Sequence, residues 1–225
     1  GKKLTGLELG ILSDDTEINI SEKNQSYCEL TALYWSWKNN FLQDVDYVGL
    51  VHYRRYFSGK GLSVKGRAIA STEELIGLLK EADCLVPYKR NYYIETVYSH
   101  YQHAHYIKDL DAVRKIIVNK YSNYIKAFDT VMHRKTLYLY NMFVMKRELF
   151  EKYSDWLFTI LFELEEEIDI SNYNPYQKRV FGFLAERLFN VWLLKNNIIT
   201  KEVKVISLER QNPQKFAGYF ISNIF

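Results

Sequence analysis

The sequence predicts a single α/β domain with a large helical portion, and three observations carry that prediction. Two short apolar runs, Tyr47–Val51 and Cys84–Pro87, each follow a segment of helical periodicity, and alternation of helix with strand is the signature of a parallel sheet covered by helices. Long amphipathic stretches dominate the second half, so helices outweigh strands there. The apolar fraction of 48% over 225 residues suffices for one core, and no apolar run approaches the length of a membrane span.

The elements follow in order. Residues 1–24 read as polar and irregular, with a short segment near Leu7 to Leu12 and turns at Asp14-Asp15-Thr16 and Asn19-Ile20-Ser21. Ser26 and Glu29 have capping-box spacing for a helix from Tyr27 to Asn40, whose Leu30, Leu33, Tyr34 and Trp37 share one face. The strand Tyr47–Val51 comes next. Ser58 to Ser71, rich in glycine and basic residues, reads as a mobile surface loop. Ser71-Thr72-Glu73-Glu74 caps a helix to about Ala82, and the strand Cys84–Pro87 follows. Asp109 is expected to cap a helix through Tyr121, with a shorter helix from Tyr124 to Met132. Leu139 to Met145 reads as a third strand, Arg147 to Glu167 and Pro175 to Lys195 as helices, and Val203 to Leu208 as a last strand.

Composition narrows the function classes. The net charge of +3 is spread along the chain without a basic tract, which argues against a nucleic-acid partner; a weakly basic surface is compatible with peripheral contact to an anionic membrane. Cys28 and Cys84 are isolated, as in a reducing cytoplasm. The opening Gly1-Lys2-Lys3 has no apolar signal region and no initiating Met, so the start reads as a processed, tagged or truncated end. Nineteen tyrosines supply rings that stack and hydroxyls that bond, which suits sugars, bases or peptides. There is no GxSxG elbow, P-loop, GxGxxG or HExxH string.

The segment Asp46-Tyr47-Val48-Gly49-Leu50-Val51-His52-Tyr53-Arg54-Arg55-Tyr56-Phe57 is the strongest candidate site. An apolar strand ends in a histidine and two arginines, where ligands bind in open α/β sheets, and paired guanidiniums suit phosphate or carboxylate. Strand alternation puts His52 and Arg54 on one face and Arg55 on the other; the alternative role is pairing with surface carboxylates. His100, His103 and His105 form a second cluster, fit for hydroxyls or phosphate or for a structural role, and short of the ligands zinc needs. Asp44-Val45-Asp46 and Asp109-Leu110-Asp111 look like turn and cap residues. Glu186 and Arg187 interrupt the apolar stripe Leu184, Leu188, Val191 and Trp192; they are either an exposed pair or a carboxylate aimed into a cleft for general-base work. Cys28, inside a predicted helix, reads as core.

Several ordered blocks resemble a bacterial family of capsular and exopolysaccharide glycosyltransferases: Asn19 to Asn24, Tyr27 to Asn39, Asp46 to Phe57, Asn91 to Tyr106, Tyr140-Asn141-Met142-Phe143, and Phe181 to Arg187. The resemblance covers nearly the whole chain. It implies a GT-A-like, Rossmann-like sheet that binds a nucleotide sugar, with residues 1–90 as the donor part and 91–225 as a mainly helical acceptor and catalytic part. Relatives carry a further strand upstream, so the sheet is expected to lack its first strand. The implied reaction is transfer of a hexosyl unit, such as galactofuranose, from a UDP-sugar to a glycan or lipid-linked glycan acceptor, in the cytoplasm or at the inner face of the membrane. Where GT-A enzymes place a D-x-D after the strand, this chain has His52-Tyr53-Arg54, which implies that cationic side chains replace the divalent cation (Mn²⁺ or Mg²⁺) on the diphosphate. On this reading Arg54, Arg55, Arg187 and Asn24 hold the donor, and His52 and Glu186 are catalytic. Asn141, Tyr140, His103 and His105 contact the sugar or acceptor. The alternative is a non-catalytic carbohydrate- or nucleotide-binding module of a polysaccharide-assembly system.

Overall fold

The computed structural model describes residues 12–209 together with Lys3 and Gly10. Its central sheet has four strands in the order β1 (Tyr47–Leu50), β7 (Phe143–Lys146), β4 (Cys84–Pro87) and β8 (Thr200–Val203). The sheet is mixed and not purely parallel. β4 and β8 run parallel, while β7 lies antiparallel between β1 and β4, with Met145 opposite both Val48 and Cys84. The expected parallel order fails at β7, which runs opposite to both its neighbours before the chain enters the helix α7 (Arg147–Glu167). Strands from both halves of the chain interleave in this one sheet.

A second sheet has the order β3 (Arg67–Ile69), β2 (Arg55–Val64) and β9 (Val205–Ser207), all antiparallel. Thus the glycine-rich stretch expected to be a mobile loop is a paired hairpin. Its glycines serve close approach: a Cβ on Gly59 would lie 2.2 Å from Ala70 Cα. The capping box predicted at Ser71 is present at the start of α3 (Thr72–Leu79), and the Glu74 carboxylate also accepts from the Lys60 and Gly61 amides, tying the hairpin to the helix. A two-stranded ribbon pairs β5 (Arg90–Asn91) with β6 (Thr136–Leu137).

In the helical half α5 (Ile107–Lys120) and α8 (Val180–Lys195) pack on α7, α6 (Ile125–His133) packs on α8, and α4 (Val97–Ala104) packs on α5 and α6. α7 has the predicted bounds, and its Phe150, Tyr153, Leu157, Leu161 and Leu164 are buried at helical spacing. Tyr153 meets Phe143 of β7 and Phe189 and Trp192 of α8, joining sheet to helices in one core. Three local expectations change. The helix from Tyr27 divides into α1 (Asn24–Tyr27) and α2 (Leu30–Lys38) because Cys28 has φ +54°; Ser26 lies inside α1, its hydroxyl on the Lys23 carbonyl, so it is not the cap. The strand expected from Leu139 begins only at Phe143, after Tyr140 and Asn141, both with positive φ. Asp109 sits within the first turn of α5, buried and accepting from Tyr173 Oη at 2.8 Å, and Tyr106 is the N-cap. The Leu7 to Leu12 segment, apart from Gly10 and Leu12, and any strand before it lie outside the described residues.

Candidate functional site

A cleft of about 310 Å³ opens between the end of β1 and the start of α8. His52, at the end of the β1 run, and Arg55, the first residue of β2, close a two-residue hairpin, with reciprocal backbone bonds of 3.3 and 3.2 Å. That reversal overrides alternation: His52 and Arg55 both line the cleft, and Arg54 at the hairpin tip does not. The Arg54 guanidinium pairs with Glu209 and stacks on exposed Tyr53. The Arg55 guanidinium stacks on the Tyr140 ring, 4.6 Å from its centroid, which fixes it over the cleft without consuming its charge.

Glu186 stands opposite on α8. The left-handed backbone at Tyr140 and Asn141 turns the Tyr140 N–H onto Glu186 Oε1 at 2.8 Å, and its carbonyl accepts from His52 Nε2 at 2.5 Å. His52 therefore carries its proton on Nε2 and presents Nδ1 elsewhere. Buried Asn190 clamps this turn to α8, bonding both the N–H and the carbonyl of Tyr138 as well as the Glu186 carbonyl. Arg187 Nη1 donates to Glu186 Oε2 and to the Phe183 carbonyl, each at 2.9 Å. The Arg187 side chain is 3% exposed and that of Glu186 17%. Burial drives the Glu186 pKa up, partly opposed by Arg187 and the Tyr140 amide. A carboxylate so placed accepts a proton more readily than one in water.

The remaining walls are aromatic and basic. Tyr92 stacks on His100 with ring centroids 4.0 Å apart, and His105 lies against Phe183 and Tyr176 while bonding Gln177 Oε1 through Nδ1. Burial pushes the His105 pKa down to about 4 and lowers that of His100, so both imidazoles are neutral near pH 7. Cys28, Glu29 and Arg179 form the far rim; Arg179 Nε donates to Cys28 Sγ at 3.3 Å. Burial raises the Cys28 thiol pKa, which opposes a nucleophilic role. In all, three guanidiniums and two carboxylates face the cleft.

Of the residues expected in the site, the structure brings together His52, Arg55, Tyr140, His105, Glu186 and Arg187. It leaves four outside. Arg54 is on the outer surface, as described. His103 is exposed and pairs with Glu95. The Asn24 amide bonds the Cys28 carbonyl at 2.7 Å and Thr31 Oγ1 at 3.1 Å, holding the kink between α1 and α2. Asn141 lies behind the cleft wall, its amide on Glu29 at 2.7 Å and on the Gly182 carbonyl at 3.2 Å, so it acts on Glu29. Sequence reasoning missed Glu29, Tyr92, Tyr176 and Arg179 as site residues. Glu29 stood inside the recognised block Tyr27 to Asn39 but was spent on an inferred cap. Among the described residues, no group of three or more His, Cys, Asp or Glu side chains is placed to hold a metal ion. A larger concavity of about 640 Å³ runs along α6, but it follows a single helix face and its Asp129 is already paired with Arg114.

The sheet, its helical cover and the cleft at the strand end define an α/β, GT-A-like fold. The chain belongs to the family described as Domain of unknown function (DUF4422), which matches residues 1–197. It is also similar to a solved apo structure of WbbM, a bifunctional glycosyltransferase, with a TM-score of 0.81 and 36% identity over 93% of this chain. This chain spans 41% of the length of that one. No curated protein matches.

Proposed function

We propose that this chain is a glycosyltransferase that moves a hexosyl unit from a UDP-sugar to a hydroxyl of a glycan or lipid-linked glycan. The observation that supports it most is the cleft shared by Arg55 and Glu186: a cation for a departing diphosphate faces a carboxylate of raised proton affinity. In the reaction, the bond from the anomeric carbon to the diphosphate oxygen breaks and its electron pair leaves with UDP. Arg55 and Arg179 stabilise that charge. The acceptor oxygen forms the new glycosidic bond, and its proton passes to Glu186. His52, fixed through Tyr140, orients the same wall. The family resemblance and the relationship to a bifunctional glycosyltransferase support the reaction class. The resemblance alone supports galactofuranose as the sugar and a capsular or exopolysaccharide acceptor. It also supports a place at the inner face of the cell membrane; among the described residues no helix is long and apolar enough to cross one.

The test is UDP release from UDP-hexoses, with and without Mn²⁺ or EDTA. The wild-type chain should release UDP. Glu186→Gln should lower turnover by at least roughly 100-fold while still binding UDP. Unchanged turnover would remove Glu186 from the chemistry, and UDP binding with no release by the wild type under any condition would favour a non-catalytic binding module.

A further inference from the structure

Two residues of the cleft lining carry buried polar atoms with nothing to bond. His100 Nδ1 and Arg187 Nε are buried and have no hydrogen-bond partner among the described residues, and both residues line the cleft. Tyr101 Oη, on the ring beneath the Arg187 guanidinium, is also without a partner. Buried donors and acceptors are almost always satisfied, and an unmet one costs its full desolvation. Two of the three belong to residues that line the cleft, which points to a ligand that completes those two. The charge there is already balanced, since Arg187 is paired with Glu186. A second anion would upset that balance, whereas a hydroxyl both donates and accepts and meets a neutral imidazole and a guanidinium N–H equally well. The more exposed cations, Arg55 and Arg179, lie on the hairpin and the far rim.

From this arrangement we infer that the His100–Arg187 end of the cleft is a subsite for hydroxyl groups of the transferred sugar, with the diphosphate lying outward against Arg55 and Arg179. His100 is then a residue that determines which sugar is accepted. The inference rests on the proposed glycosyltransferase function and adds the direction in which the donor lies. It also gives a reason for the Tyr92–His100 stack: the ring contact fixes the imidazole against a second residue of the cleft lining.

The test compares calorimetric affinities for UDP and for UDP-galactose, UDP-glucose and UDP-N-acetylglucosamine in the wild type and in His100→Phe. Phenylalanine keeps a ring against Tyr92 and deletes both ring nitrogens. The variant should bind UDP as the wild type does, which also reports its fold. It should bind the preferred UDP-hexose roughly five- to thirtyfold more weakly, the worth of one or two hydrogen bonds. His100→Asn, whose amide places a polar atom near the Nδ1 position, should recover part of the loss and serves if the phenylalanine variant does not fold. Equal weakening of UDP and UDP-hexose, or no weakening of either, would overturn the subsite while leaving the functional reading intact. A wild-type chain that binds no nucleotide would overturn the functional reading, and this inference with it.

Discussion

Replacing Arg187 by Met removes a guanidinium that is 3% exposed and leaves Glu186, at 17%, with the Tyr140 amide as its remaining bond on the cleft wall. Breaking one partner of a buried pair costs about 3–5 kcal/mol when both groups are fully enclosed. Here Glu186 keeps some solvent and one N–H, and its raised pKa lets it take up a proton, so the expected loss is about 2–3 kcal/mol. Glu186→Gln keeps a bond to Tyr140 but leaves Arg187 charged with the Phe183 carbonyl, for an expected loss of about 1–2 kcal/mol. In the double variant neither charge is buried alone, so the combined loss should fall short of the sum by about 1–2 kcal/mol. Urea unfolding followed by tryptophan fluorescence measures all four corners of the cycle. Additivity within about 0.5 kcal/mol would refute the coupling on which the cleft's charge balance depends.

Two further outcomes follow from the fold and its titrating groups. Gly59→Ala should destabilise by about 3 kcal/mol, because besides the Glu74 carboxylate its Cβ meets the Ala70 backbone, which cannot swing aside; a loss below about 1 kcal/mol in urea unfolding would mean the hairpin is not packed as described. His105 has a depressed folded pKa of about 4, so its neutral form contributes stability that is present above the ordinary histidine value near 6.5 and is lost as pH falls toward 4. Allowing for partial exposure, the loss is on the order of 2 kcal/mol. His105→Phe should flatten the fall in melting temperature between pH 6.5 and pH 4, and an unchanged slope would assign that fall to other groups. His100 titrates in the same sense, whereas Glu186, with its raised pKa, acts in the opposite one: its contribution is present below the ordinary glutamate pKa and lost as pH rises through the raised value.

What the sequence disclosed was set by local physics. The Ser71 capping box, the bounds of α7 and the strands at Tyr47 and Cys84 depend on side chains within a few residues, and periodicity reports those well. Arg55 and Glu186 were both legible as site candidates because each breaks an apolar pattern. Their meeting was not, since it requires the backbone reversal at Tyr53–Arg54 that moves His52 and Arg55 to the same side. The left-handed turns at Cys28, Tyr140 and Asn141 were equally hidden: none is glycine, and each is held by distant partners, as Tyr140 is by Glu186. Arg179 joins the site by bonding Cys28, 151 residues away in sequence. The glycines at 59 and 61 suggested a loop because nothing local announces that β3 and α3 press against them.

The most direct test of the account is the affinity for UDP of Arg55→Ala beside Arg54→Ala. Arg55 faces the cleft and Arg54 does not, although the two are adjacent in sequence. One lost charge-assisted contact is worth about 1.5–3 kcal/mol, so Arg55→Ala should weaken UDP at least roughly tenfold while Arg54→Ala leaves it within about twofold. Equal effects, or a larger loss at Arg54, would contradict the placement of the diphosphate in this cleft.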